Sequence, residues 1–319
     1  MVNALCKPML GFFLLVLPAV GQAQELPFAE EDEKLTGRIE LACDRLRVTA
    51  KLVPCAELLA KDPEPGMAGA LPPQVAVPPE RAPLAPTQVY QTLRRSMRAV
   101  GHYYRCLECE DWHFNPSSGF ALDGQGRVVT CAHVLPPDAE TRDAFLVCAD
   151  LDGNVWPVEK VLAIDRKADL AVLQTSERGA VGIELSGGAA VGARVYCLSN
   201  PDGMYGYFSE GIVARRYLYR EPADEADPDG VRRPPAQPLL DVTCQWAGGS
   251  SGGPVVDAWG RLVGVVQSTQ TVSYPDEDDR NVTELVVRSA VPVESLRKLF
   301  AAATAKAESK PVDAPTSKK

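Results

Sequence analysis

The chain has 319 residues, with 33 Lys and Arg against 42 Asp and Glu, a formal net charge of −9. That balance excludes a protein built to grip nucleic acid, which calls for a basic face. Apolar residues make up 45% and charged residues 24%, ordinary values for a globular protein with room for one large β domain or two small ones.

The chain starts with an address. Lys7 gives a thin positive start, Met9 to Val20 form an apolar run, and Gly21-Gln22-Ala23 offers small residues for cleavage. Residues 1–23 therefore read as an export signal. The run is too short for a stable membrane span, so no lasting membrane insertion is expected once it is removed. Cys6 leaves with it, and eight cysteines remain in a compartment where disulfides persist. Cys43 and Cys55 are candidates for a pair, because Pro54 should end a helix and let the chain double back. Cys131 and Cys148, both in strand-like runs, can equally be buried thiols.

Residues 24–61 form a helical segment, with Leu35, Ile39, Ala42 and Leu46 recurring at spacings of three and four between charged residues. Such a segment serves either as a docking or oligomerisation element or as a spacer. Residues 62–87 are dense in proline and read as an extended linker. From 88 to 306 the texture is short apolar runs, such as RVVTCAHV, AFLVCADL, DLAVLQT and RLVGVVQS, punctuated by Asp-Gly and Trp-Gly turns. Many short strands without interleaved helices predict an all-β sandwich or barrel domain. It closes on one helix from Val293 to about Lys306, with Leu296, Leu299 and Phe300 on one face. Residues 307–319 are a polar tail.

The strongest chemical signal is GGSSGGPVVD, Gly248 to Asp257. A serine hydroxyl is a poor nucleophile until a base takes its proton and donors stabilise the oxyanion. Glycines on both sides of Ser251 let the backbone bend so that the amides of Gly249 and Ser251 converge. By itself the stretch could be a glycine-rich hairpin turn. The base and its orienter must come from elsewhere. His133 ends a strand-like run in VVTCAHVL, and Asp169 starts another in ADLAVLQ. Each alone is unremarkable, but they occur in the chain order His, Asp, Ser, one of the orders in which a catalytic triad is assembled.

These stretches carry a resemblance to a known family. TCAHV resembles the histidine motif of trypsin-like serine proteases, ADLAVL the aspartate motif of their bacterial HtrA-type branch, and GSSGGP the serine motif. LSNPDGMYGYFSEGIVARR, GRLVGVVQS and SAVPVESLRKLF are also similar to that branch. The likeness runs from about Val100 to Phe300. It implies two six-stranded antiparallel β-barrels with the site between them, His133, Asp169 and Ser251 as the triad, and an oxyanion hole from the amides of Gly249 and Ser251. It requires no metal and no organic cofactor. Gln245 and Trp246 are expected to approach the primary specificity pocket, with Gln267 and Ser268 on its other wall. The implied function is an exported endopeptidase, periplasmic or secreted, acting on proteins or peptides and possible as a homo-oligomer. The alternative is a latent protease or a binding scaffold on the same fold. Esterase chemistry would use the same groups, but the strand–helix alternation of an α/β-hydrolase is absent.

The sequence departs from the family in three places. Ser250 stands where the family has Asn or Asp. No PDZ-like stretch follows Phe300. The proline-rich, acidic stretch 221–237 lies where the family carries a sensor loop, and it reads either as such a loop or as a surface insertion. One further cluster, His102, Cys106, Cys109 and His113, can close a Cys106–Cys109 disulfide clip or ligate zinc; an exported setting favours the clip. The acidic run Asp276 to Asp279 reads as a loop tip that either favours basic substrate residues or is simply solvated.

Overall fold

The computed structural model describes residues 31–49, 51–60, 63, 82–137, 141–220, 236–275 and 280–308, besides the isolated Phe28. The expectations for the export signal, most of the linker, most of the 221–237 stretch, the 276–279 tip and the last eleven residues lie outside them.

The helical segment is two helices: α1, Asp32–Val48, and α2, Cys55–Leu59. Helix α1 has Asp32 and Glu33 in its first turn and Arg45 and Arg47 in its last, each sign matching the helix dipole. Leu35, Ile39 and Cys43, at spacings of four, form its buried face. Pro54 sits at the N-cap of α2 and not at the end of α1; a proline there forfeits no helical hydrogen bond. A third helix, α3, Pro86–Ser96, opens with Pro86 in its first turn, and the Gln88 side chain accepts the Ala85 N–H at 2.9 Å.

Two sets of six strands follow. The first is β1 (Met97–Cys106), β2 (Trp112–Ala121), β3 (Arg127–Thr130), β4 (Thr141–Ala149), β5 (Val155–Asp165) and β6 (Leu170–Thr175). The second is β7 (Arg194–Ser199), β8 (Tyr207–Tyr219), β9 (Gln237–Val242), β10 (Pro254–Asp257), β11 (Leu262–Pro275) and β12 (Asn281–Pro292). Each set closes into an antiparallel barrel, in the orders β1-β2-β3-β6-β5-β4 and β7-β8-β9-β12-β11-β10. One topology thus occurs twice, and closure leaves neither sheet with an open edge. The chain ends its described course in α4, Val293–Glu308, which buries Leu296, Leu299 and Phe300 as the periodicity predicts.

The largest apolar cluster joins the two barrels. Val100, Phe120 and Val172 of the first pack with Tyr196, Val265 and Val291 of the second, and α3 and α4 add to the same cluster. Helix α1 covers a separate patch on the first barrel: Leu35, Ile39 and Cys43 against Tyr103, Phe114 and Val147. Asp44 accepts the Tyr103 hydroxyl at 2.7 Å, Glu40 accepts the Phe114 N–H at 3.0 Å, and Asp32 accepts the Tyr205 N–H at 2.9 Å. The segment is therefore packed onto the barrels.

All eight described cysteines are free thiols. Cys43 lies under α1 and Cys55 in the main cluster, so the expected pair does not form. Burial pushes both thiols up to about 12.

Candidate active site

His133 and Asp169 meet because of strand register. Thr130 of β3 pairs with Ala171 of β6, so the chain just past β3 and just before β6 lies at one end of the first barrel. His133 sits there in a single 3-10 turn, Ala132–Val134. Its Nδ1 is 2.7 Å from Asp169 Oδ2, and its backbone N–H donates to Asp169 Oδ1 at 3.0 Å. Both carboxylate oxygens are thus spent on one residue, fixing the ring's position and tautomer. The hydrogen bond that His133 donates to Asp169 raises its pKa, against the opposing effect of burial. Behind the pair, the fully buried Cys131 thiol donates to the Val266 carbonyl at 3.0 Å.

Ser251 comes from the second barrel, on the turn between β9 and β10. Tight bonds shape that turn: Ser250 N–H to Ala247 O at 3.1 Å, Gly253 N–H to Ser250 O at 3.0 Å, and Gly252 N–H to Val266 O at 2.8 Å. The Gly248 carbonyl accepts the Asp202 N–H at 2.7 Å. A trans peptide holds its N–H opposite its carbonyl, so this bond orients the Gly249 N–H away from Asp202. Among the described residues, the N–H groups of Gly249 and Ser251 have no hydrogen-bond acceptor. The Ser251 hydroxyl donates to the Gln267 carbonyl at 3.3 Å.

Sequence reasoning missed the residues that seat this turn against the first barrel. Ser118 of β2, fully buried, donates its N–H to Ser251 O at 3.0 Å and its hydroxyl to Gly249 O at 2.9 Å. Its Oγ accepts the Asn200 N–H at 2.9 Å, and its carbonyl accepts the Thr130 hydroxyl at 2.7 Å. Ser117 adds a bond from its hydroxyl to Ser251 O at 3.0 Å. Ser250 is fully buried, and its Oγ accepts the Ser199 hydroxyl at 3.1 Å.

His133 and Asp169 face a cleft of about 590 Å³, whose other wall includes Gln267, Ser268 and Gln270. Two of the four expected substrate-binding residues, Gln267 and Ser268, line this cleft. Trp246 is buried and braces it, its indole N–H donating to Ser268 O at 3.1 Å. Gln245 lies elsewhere, on a groove of about 500 Å³ shared with Val286 and Arg288.

Two closed six-stranded antiparallel barrels, with a histidine–aspartate pair from one and a glycine-bounded serine turn from the other, are the arrangement that the sequence resemblance to trypsin-like peptidases implies. Residues 117–265 match that family, the trypsin-like peptidase domain. Among curated relatives, the chloroplastic Protease Do-like 1 of Arabidopsis thaliana is 28% identical over 152 residues, 46% of this chain and 32% of that one. A probable periplasmic serine endoprotease, DegP-like, of Brucella suis is 28% identical over 152 residues, covering 46% of this chain and 26% of its own. Serine protease HTR4 of Bos taurus is 26% identical over 251 residues, 76% of this chain and 48% of its own. The chain spans less than half the length of each of these three. The crystal structure of a serine endoprotease from Yersinia pestis aligns with 69% of this chain and 68% of that one, at 19% identity and a TM-score of 0.46.

Proposed function

We propose that this chain is an exported serine endopeptidase that hydrolyses protein substrates through Ser251, His133 and Asp169. The observation that carries the reading is the two-bond grip of Asp169 on His133, set across the barrel junction from the Ser251 turn. Asp169 leaves the imidazole with its proton on Nδ1 and its lone pair on Nε2, the form a general base needs. Ser251 Oγ attacks the scissile carbonyl as its proton passes to Nε2, and His133 returns that proton to the leaving amine. Water then repeats the cycle on the acyl-enzyme. The amides of Gly249 and Ser251, with no other acceptor, supply the donors for the oxyanion. We further assign residues 1–23 to export and 88–306 to the catalytic unit, with α1 as its packed N-terminal support.

A latent resting form is the second reading, favoured by one observation: the Ser251 hydroxyl bonds Gln267 O and not His133. Catalysis then requires that hydroxyl to change partners as substrate enters the cleft.

The test is casein cleavage by residues 24–319 beside Ser251→Ala, with a serine-reactive phosphonate as a second readout. Cleavage and labelling by the parent alone supports an active enzyme. Labelling without cleavage identifies the latent form. Neither cleavage nor labelling would overturn the protease reading and leave a binding scaffold.

A further inference from the structure

The tip of the β1–β2 hairpin lies outside the proposed catalytic cleft, and the proposed function makes no use of it. The sequence spacing suggested four ligands there, but the structure separates them. His102 is buried, with its Nε2 at 3.0 Å from the Leu135 carbonyl. The other three converge: Cys106 Sγ, Cys109 Sγ and a ring nitrogen of His113 lie within 4.8 Å of one another, at least partly open to solvent. Cys109 Sγ is 3.0 Å from His113 Nε2.

The loop is shaped around the sulfurs. The Glu108 N–H points at Cys106 Sγ at 3.4 Å. Just after the second cysteine, Glu110 takes a left-handed conformation, φ 62, which glycine adopts freely and glutamate only at a cost. Arg105 holds it there, donating from Nε to the Glu110 carbonyl and from Nη2 to its carboxylate, both at 3.0 Å. That turn swings Cys109 back toward Cys106, and the Cys106 N–H to Asp111 O bond at 2.9 Å closes the hairpin behind it.

We propose that Cys106, Cys109 and His113 bind one zinc ion through two thiolates and an imidazole, leaving the fourth tetrahedral position to water or an outside ligand. Thiolate and imidazole suit zinc, which imposes no redox demand. Its bond lengths put ligand atoms roughly 3.5 to 3.8 Å apart, so Cys109 and His113 separate by about half an ångström to admit it. Binding releases the thiol protons to solvent, and affinity therefore falls as pH falls.

The experiment uses residues 24–319 without an affinity tag, purified under reductant, equilibrated with zinc, desalted and assayed for metal. Cobalt substitution gives a second readout. One equivalent of zinc, and a cobalt form with thiolate charge-transfer absorption, are expected. Cys109→Ser and His113→Ala should each weaken binding by about a hundredfold or more. Cys131→Ala, which alters the thiol beside the catalytic pair, should bind as the parent does, with circular dichroism confirming that all variants fold. Parent protein without stoichiometric metal would overturn the proposal. So would binding that survives His113→Ala and vanishes in Cys131→Ala, or a Cys106–Cys109 disulfide that zinc and reductant do not replace.

Discussion

Asp169 has a φ of 57, a left-handed conformation in which Asp and Asn are tolerated better than most side chains. Asp169→Asn therefore keeps the backbone but replaces one acceptor oxygen with a donor. The amide stabilises the imidazole in its wrong tautomer, and kcat should drop about 10³- to 10⁴-fold with the fold intact. The pH profile gives a separate readout. Because the Asp169 hydrogen bond raises the His133 pKa, activity should fall as pH drops through that raised value. Residual activity of Asp169→Asn should show its acid limb at lower pH. The stability sign is opposite: a raised folded-state pKa contributes stability fully below the unfolded pKa and loses it as pH rises through the folded one. The neutral, working imidazole is thus the less stabilised form. All three proposed catalytic residues were legible in sequence because reactive groups sit in fixed local motifs. Ser118 and Asp202 were not, since an amide or hydroxyl that meets a distant carbonyl leaves no mark on residue type.

Gly252 has a φ of 89, and a Cβ there would stand 2.2 Å from Ser118 O and 2.3 Å from Thr130 Oγ1. Backbone strain and overlap combine, so Gly252→Ala should destabilise the chain by about 3 kcal/mol or more in urea denaturation. Another test belongs to β1. Arg98 and Glu177 are buried and joined by two hydrogen bonds, the Nε one at 2.9 Å. Removing one partner leaves an uncompensated buried charge, and Arg98→Ala should cost about 3–5 kcal/mol by the same measurement. At the level of elements, the strands and α4 could be read because their apolar spacing is regular. Helix α3 could not: Pro86 and Thr87 continue the proline-rich composition of the linker, masking a start that Gln88 caps. The break after Val48 was hidden because the apolar spacing runs on through Leu52 into α2.

Helix α1 spans both halves of the molecule, covering Tyr103 of the first barrel and accepting the Tyr205 N–H through Asp32. A chain starting at residue 82 would expose the patch under Leu35, Ile39 and Cys43, three buried side chains together contributing several kcal/mol. Its melting temperature should be lower than that of residues 24–319 by about 5 °C or more, read by circular dichroism. The two-barrel plan itself was foreseeable from the family resemblance, strand texture alone reaching only an all-β sandwich or barrel, but the seating of α1 was not. Its buried face matches a patch of Tyr103, Phe114 and Val147 that only exists once β1, β2 and β4 have paired.

Ser118 bears on how the molecule comes apart. One buried side chain and its own peptide groups bond four places at once: Ser251 and Gly249 on the serine turn, Asn200 beside β7, and Thr130 at the end of β3. Two barrels of the same topology, left unjoined, would melt as two independent units. Riveted through this serine and sharing one apolar cluster, they should instead melt as one. Calorimetry of residues 24–319 should give a single transition whose calorimetric and van't Hoff enthalpies agree. Ser118→Ala, which removes the hydroxyl from the junction, should make the two enthalpies diverge.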